Sequence, residues 1–275
     1  MQGNNEIFYH CGMMRTGTTY LQRTVFPYFK GIRYVPKRQY FERDEIIRDS
    51  AASRFLISYE LAMDDQWERE INNVSEEWPD TTPIVVIRRH SDWLLSEYKR
   101  QLKNGYIRHF HQLWSEDDKA AQYQKEDLMY CRRVAFLREK FNNPPVILKY
   151  SDMQHDPLGF VHSLAGIVDA TFDPADIDLR WRHTSYGDRE LRALRHVMKF
   201  VNLNRERANQ HPALFRLVRL LRDTVRYGIL HTASLLPGDT HLVPKQVLDH
   251  VDEVYRKDWE TILIESEKSA PHNLS

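Results

Sequence analysis

The segment Gly12-Met-Met-Arg15-Thr16-Gly17-Thr18-Thr19 sets two glycines at the spacing of a phosphate-binding loop, G-x-x-x-x-G. Such a loop turns successive backbone N–H groups toward an anion, and a helix starting after it adds partial positive charge. The lysine that usually follows the second glycine, and reaches the β- and γ-phosphates of a nucleoside triphosphate, is replaced by Thr18. A cation stands instead at Arg15, two positions before Gly17. A second constellation begins at Ile84-Val-Val-Ile-Arg88, with Ser96 eight residues beyond the arginine. Residues at the carboxyl ends of parallel strands face the ligand crevice, so Arg88 is expected to share that crevice with the loop. Ser96, two turns into a helix, is spaced to join Arg88 on one phosphate. Two anion sites, one without its lysine, point to a ligand phosphorylated at both ends. The plainer readings are a tight turn capped by Thr16 or Thr18, an Arg88 paired with a surface carboxylate, and a solvated Ser96.

The elements that must position these residues alternate over the first 150 positions. Short β-rich runs at Ile7–Cys11, Gly31–Val35, Arg54–Ser58, Pro83–Ile87 and Val146–Lys149 read as strands. Helical spacing occupies Thr18–Phe26, Asp92–Leu102 and about Lys125–Phe141 between them. Strands separated by helix-length connections predict a P-loop-like α/β fold, a central parallel sheet flanked by helices. From Pro157 onward only helical spacing appears, at Leu158–Val168, Arg189–Asn204, Ala213–Tyr227 and Pro244–Ile264. No linker or repeat divides the chain, so residues 1–275 are expected to form one domain. Its α/β core would span 1–170, and a helical C-terminal region, 171–275, would complete the acceptor side.

Composition narrows the class. With 275 residues, 41% hydrophobic and 12% aromatic, the chain can build a full core, which excludes disorder as its main theme. No apolar run reaches the length of a membrane span, and Met1–Glu6 lacks the pattern of a secretory signal. Two cysteines, Cys11 and Cys131, are too few for a disulfide framework, so a cytoplasmic protein is expected. The 39 basic and 39 acidic residues balance but are unevenly placed. Eight acids face one base over Tyr59–Asp80, and twelve bases face four acids over Arg180–Arg226. Leu214, Leu217, Val218, Leu221 and Val225 form an apolar helix face there, with Arg216, Arg219, Arg222 and Arg226 on another. The basic stretch 180–226 reads as a core-packed helix with a solvated basic side, or as a surface for an anionic glycan or a membrane. It lacks the interleaved aromatics of a nucleic-acid surface.

Taken in order, these motifs resemble the sulfotransferase family, whose donor is 3′-phosphoadenosine-5′-phosphosulfate. Cys11 to Gln22, followed by Phe26-Pro27, is similar to the family's 5′-phosphosulfate loop. Val85-Val-Ile-Arg88 through Ser96-Glu-Tyr98 is similar to its 3′-phosphate motif, with His90 where proline is usual. Val146-Ile-Leu-Lys-Tyr150-Ser-Asp-Met153 resembles the strand and turn that follow. The likeness covers about residues 6 to 170. It implies that Arg15, Thr16, Gly17, Thr18 and Thr19 hold the phosphosulfate, that Arg15 is catalytic, and that Arg88 and Ser96 hold the 3′-phosphate. It also implies 3′,5′-adenosine bisphosphate as the product, no metal, and a small-molecule or glycan acceptor.

A general base for the acceptor is expected as well. Where sugar sulfotransferases often read K-E-x-x-F-F, this chain has Pro36-Lys37-Arg-Gln-Tyr40-Phe41, leaving Lys37 in the glutamate's place. Glu60, just past the third strand, is the leading substitute, with Glu42, Asp44 and His10 behind it. Two other readings stay open: a P-loop phosphotransferase using a nucleoside triphosphate and magnesium, and a nucleotide-binding protein without catalysis.

Overall fold

A computed structural model of the chain describes residues 5–63, 65–107, 109–179, 186–200, 220–229 and 241–269. These fall into two compact units. The first takes residues within Met1–Arg89, Met129–Arg180 and Tyr255–Ser275, and the second those within His90–Leu128 and Trp181–Val254.

The first unit is built on five strands: β1 (Glu6–Met13), β2 (Arg33–Val35), β3 (Arg54–Leu61), β4 (Thr82–Ile87) and β5 (Val146–Lys149). All pair in parallel, in the order β2-β3-β1-β4-β5. The α/β sheet read from the sequence is therefore present, and all five expected strands form. Every residue of β1 after Glu6 is buried, as are the last five of β4, as expected for strands covered on both faces. From β1 the chain moves to one side, through β2 and β3, then crosses to β4 and β5 on the other. The carboxyl end of β1 is thus the switch point of the sheet, where ligands of open α/β folds bind.

After Gly17 the chain winds into α1 (Thr18–Tyr20), a π turn over Leu21–Val25 and a 3₁₀ turn over Phe26–Tyr28. Proline at position 27 ends regular helix there. Two helices not singled out in the sequence, α2 (Arg43–Asp49) and α3 (Asp65–Glu77), connect β2 to β3 and β3 to β4. The acidic stretch after Tyr59 is largely α3, which buries Trp67, Ile71 and Val74 and turns most of its charge outward.

In the second unit, α4 (His90–Asn104) packs with α5 (Phe110–Leu113). The expected helix over Lys125–Phe141 is shorter. Residues Glu126–Leu128 form a 3₁₀ turn, Met129 is extended, and α6 (Tyr130–Lys140) begins the return to the first unit. Two further helices of the first unit, α7 (Tyr150–His155) and α8 (Pro157–Ile167), follow β5. The side chain of Asp156 caps α8 by accepting from the Gly159 amide at 2.9 Å, with Pro157 in the first turn.

The C-terminal helices do not stay together. In the second unit, α9 (Asp188–Val197) and α11 (Lys245–Val254) both pack on α4, and Lys99 pairs with Asp188 at 2.7 Å. In the first unit, α12 (Arg256–Ser269) packs on β5 and α6. The single helix expected over Pro244–Ile264 is thus two, broken at the buried Tyr255, with neither glycine nor proline to announce it.

Helix α10 (220–229) reverses the expected faces. Leu220, Leu221 and Val225 are exposed, whereas Arg226 is buried, bonded to Asp223 at 2.6 Å and stacked on Tyr227. Most of the rest of the basic stretch, including Leu214, Leu217, Val218, Arg216 and Arg219, lies outside the described residues. Among the described residues, no helix is long and apolar enough to cross a membrane.

Leu56 is fully buried in β3 beside β1. Leu56→Ala should cost about 2–5 kcal/mol of stability in urea unfolding; a loss well below 1 kcal/mol would contradict this placement of the core.

Candidate functional site

The loop from Gly12 to Thr19 lies at the carboxyl end of β1, between strand and helix as expected, and the strand order makes this the switch point. Its backbone is unusual twice over. Gly17 sits at φ 86°, a left-handed conformation that glycine adopts without penalty. A Cβ there would also lie 2.2 Å from the Met153 methyl group. Arg15 adopts φ 68° without that freedom, a strain of order 1–3 kcal/mol that the surroundings must hold. Gly12 is needed for closeness instead, since a Cβ would lie 2.6 Å from the Thr18 side chain.

Neither threonine caps the helix. Gly17 occupies that position without a side-chain bond, and the Thr16 and Thr18 hydroxyls both donate to the Met13 carbonyl, at 2.5 and 3.1 Å. These two side chains shape the loop from inside, while Thr19 is half-buried at the helix start. The first amides of a helix have no preceding turn to bond to, so they remain donors for a ligand.

Arg88 completes the arrangement. It follows β4, and its Nη1 donates to the Arg15 carbonyl at 2.9 Å. The guanidinium lies over the Tyr150 ring, 4.3 Å from its centroid, a cation–π contact. Its Nε is buried without a hydrogen-bond partner. The backbone of Arg88 is clasped by Tyr130, whose hydroxyl donates to the Arg88 carbonyl at 2.6 Å and lies 3.2 Å from its amide. Arg88 is therefore joined to the loop and is not paired with a carboxylate among the described residues. Ser96 is buried on α4, in the second unit, and not solvated.

The four base candidates have separate surroundings. Glu60 lies inside β3, not past it, and is the register partner of Gly12, so its strand position adjoins the loop. Its carboxylate is 3.9 Å from the Lys37 ammonium, which also lies over the Tyr59 ring. Asp44 accepts from the Trp78 indole N–H at 2.8 Å and is flanked by Arg43. Glu42 is exposed at the end of a 3₁₀ helix, Lys37–Glu42. His10 is fully buried in β1. Its Nδ1 is 2.8 Å from the Ser58 hydroxyl, which also accepts from the Gln22 side chain at 3.0 Å. The His10 Nε2 has no partner, and burial lowers its pKa to about 3.

Around Lys37 and Glu60 lies an aromatic group that the motif reading did not single out. Tyr59 stacks on Tyr40 at 4.1 Å between centroids. Phe41 meets both edge-on and leaves 75% of its surface in solvent. Behind them the Tyr40 hydroxyl donates to the buried Glu70 carboxylate at 3.1 Å. Both thiols are free: Cys11 buried, Cys131 partly so.

No protein-family model matches the chain, and no curated protein matches it. Among solved structures it is similar to a sulfotransferase from Alicyclobacillus acidocaldarius, with TM-score 0.47 and 12% identity, over 82% of this chain and 96% of that one. It is also similar to the mouse sulfotransferase SULT7A1 complexed with PAP, with TM-score 0.46 and 13% identity, over 97% of this chain and 90% of that one. At these values neither likeness assigns a function.

The folded chain holds His10 neutral, while the unfolded chain protonates it near pH 6.5. Stability from this residue is therefore complete above that pH and is lost as pH falls toward 3, by about 2 kcal/mol at pH 5. Urea unfolding at pH 7 and 5 should show a shallower loss for His10→Phe than for wild type; equal losses would contradict the burial.

Proposed function

We propose that the chain is a sulfotransferase that uses 3′-phosphoadenosine-5′-phosphosulfate. The observation carrying this reading is the loop itself. A G-x-x-x-x-G turn stands at the switch point of a parallel sheet, with Thr18 where a triphosphate-binding lysine would be and Arg15 as its cation. Its amides suit a 5′-phosphosulfate, and Arg15 is assigned to the bridging oxygen on which charge develops. Arg88, whose buried Nε is unclaimed, and Ser96 are assigned to the 3′-phosphate that distinguishes this donor from ATP. The scheme calls for no metal, since the loop and its arginines supply the positive charge.

In the reaction an acceptor oxygen attacks sulfur in line. The bond between sulfur and the 5′-phosphate oxygen breaks, its electrons stay with 3′,5′-adenosine bisphosphate, and the acceptor proton passes to a base. Glu60 is assigned that role because its strand position adjoins Gly12, and Lys37 orients its carboxylate. The acceptor is read as a carbohydrate hydroxyl. Exposed Phe41, braced by Tyr40 and Tyr59, offers an apolar platform for the face of a sugar ring. The Lys37–Glu60 pair cancels the local charge, which favours a neutral ring at this position. Two free thiols suit the reducing cytoplasm.

Calorimetric titration should show 3′,5′-adenosine bisphosphate binding without magnesium and more tightly than ADP. Preference for ADP with magnesium would instead establish a phosphotransferase. Arg15→Ala should lower kcat for sulfuryl transfer by about 10²–10³-fold, the cost of losing one donor to a developing charge. A rate near wild type would remove Arg15 from the chemistry.

A further inference from the structure

The strained Arg15 carbonyl is held by Arg88, so whatever fixes Arg88 also fixes the loop. Arg88 is fixed through its backbone by Tyr130, which is 2% exposed and is the first residue of α6. The placement of Tyr130 depends in turn on a residue 128 positions away. Asp258, buried in the first turn of α12, accepts from the Tyr130 amide at 2.9 Å and from the Cys131 amide at 3.0 Å. Its two oxygens therefore satisfy two of the orphan donors of α6, and a carboxylate at a helix N-terminus also meets the positive end of the helix dipole. Met129, immediately before α6, has no side-chain capping bond, so Asp258 supplies from another helix what the local sequence lacks. Trp259, next to Asp258, lies against the Tyr130 ring with centroids 6.2 Å apart.

We propose that Asp258 and Tyr130 are positioning residues for the phosphate loop, acting through Arg88 on the Arg15 carbonyl. The relay runs from α12 to the start of α6, then to the end of β4, then to the loop, entirely within the first unit. Its last member is charged and partly buried, so a small displacement of Arg88 alters both the loop backbone and the electrostatic field beside it. The C-terminal helix is thus a determinant of anion affinity although it carries no ligand-binding group of its own. The ligand side of this inference rests on the donor reading above; the mechanical side does not.

Two readouts separate them. Hydrogen exchange of the Thr16, Gly17 and Thr18 amides reports the loop directly, and titration with 3′,5′-adenosine bisphosphate reports affinity. Tyr130→Phe, which deletes only the hydroxyl, and Asp258→Asn should each speed loop exchange and weaken binding about tenfold, at a temperature where both variants remain folded. Ile47→Ala, in α2 away from the relay, should lower the melting temperature without either change. Loop exchange at the wild-type rate in both relay variants overturns the proposal, whatever their melting temperatures. Faster loop exchange in variants of a protein whose wild type does not bind the bisphosphate upholds the relay and removes the donor reading.

Discussion

The hydrogen bond from the Arg88 guanidinium to the Arg15 carbonyl joins the two motifs of this chain. Arg15 carries a left-handed backbone that its side chain disfavours, and such a conformation persists only where its surroundings over-determine it. Here three kinds of contact do so. The Thr16 and Thr18 hydroxyls converge on the Met13 carbonyl, the Met153 side chain fills the space where a Cβ of residue 17 would be, and Arg88 takes the Arg15 oxygen. A loop held in this way presents its amides in one arrangement before any ligand arrives, and preorganised donors are effective at developing charge.

The sheet order makes that arrangement available. With β1 central and flanked by β3 and β4, the loop leaves at the switch point. Arg88 comes from the end of the neighbouring β4, and Glu60 from the other neighbour, in register with Gly12. Thus Arg88 and Glu60 come from strands on opposite sides of β1. Beneath the loop, His10, Ser58 and Gln22 form a buried polar connection between β1, β3 and the helix after Gly17. Burial keeps that imidazole neutral, and its bond to Ser58 ties β1 to β3.

What was legible in the sequence was local. The β-branched strands, the glycine spacing and Arg88 at a strand end are short-range signals, and the structure places all three as read. Helix boundaries were less legible where partners far along the chain decide them. The start of α6 depends on Asp258, and nothing near Tyr130 announces that cap. The break at Tyr255 is likewise marked by neither glycine nor proline. The plainer reading of the loop makes Thr16 or Thr18 a helix cap, a common role for threonine, but both hydroxyls go to the Met13 carbonyl instead. On α10, the buried Arg226 meets Asp223 and Tyr227 within the same helix, contacts that apolar periodicity does not encode. The aromatic group around Phe41 was half visible in Tyr40-Phe41, but Tyr59 joins it only through the pairing of β2 and β3.

The central claim is that the Gly12–Thr19 loop is the seat of a 5′-phosphosulfate. A crystal structure with 3′,5′-adenosine bisphosphate tests it most directly. The account predicts the 5′-phosphate on the loop amides within reach of Arg15, with the Arg88 bond to the Arg15 carbonyl intact. A bisphosphate bound away from the loop would contradict it.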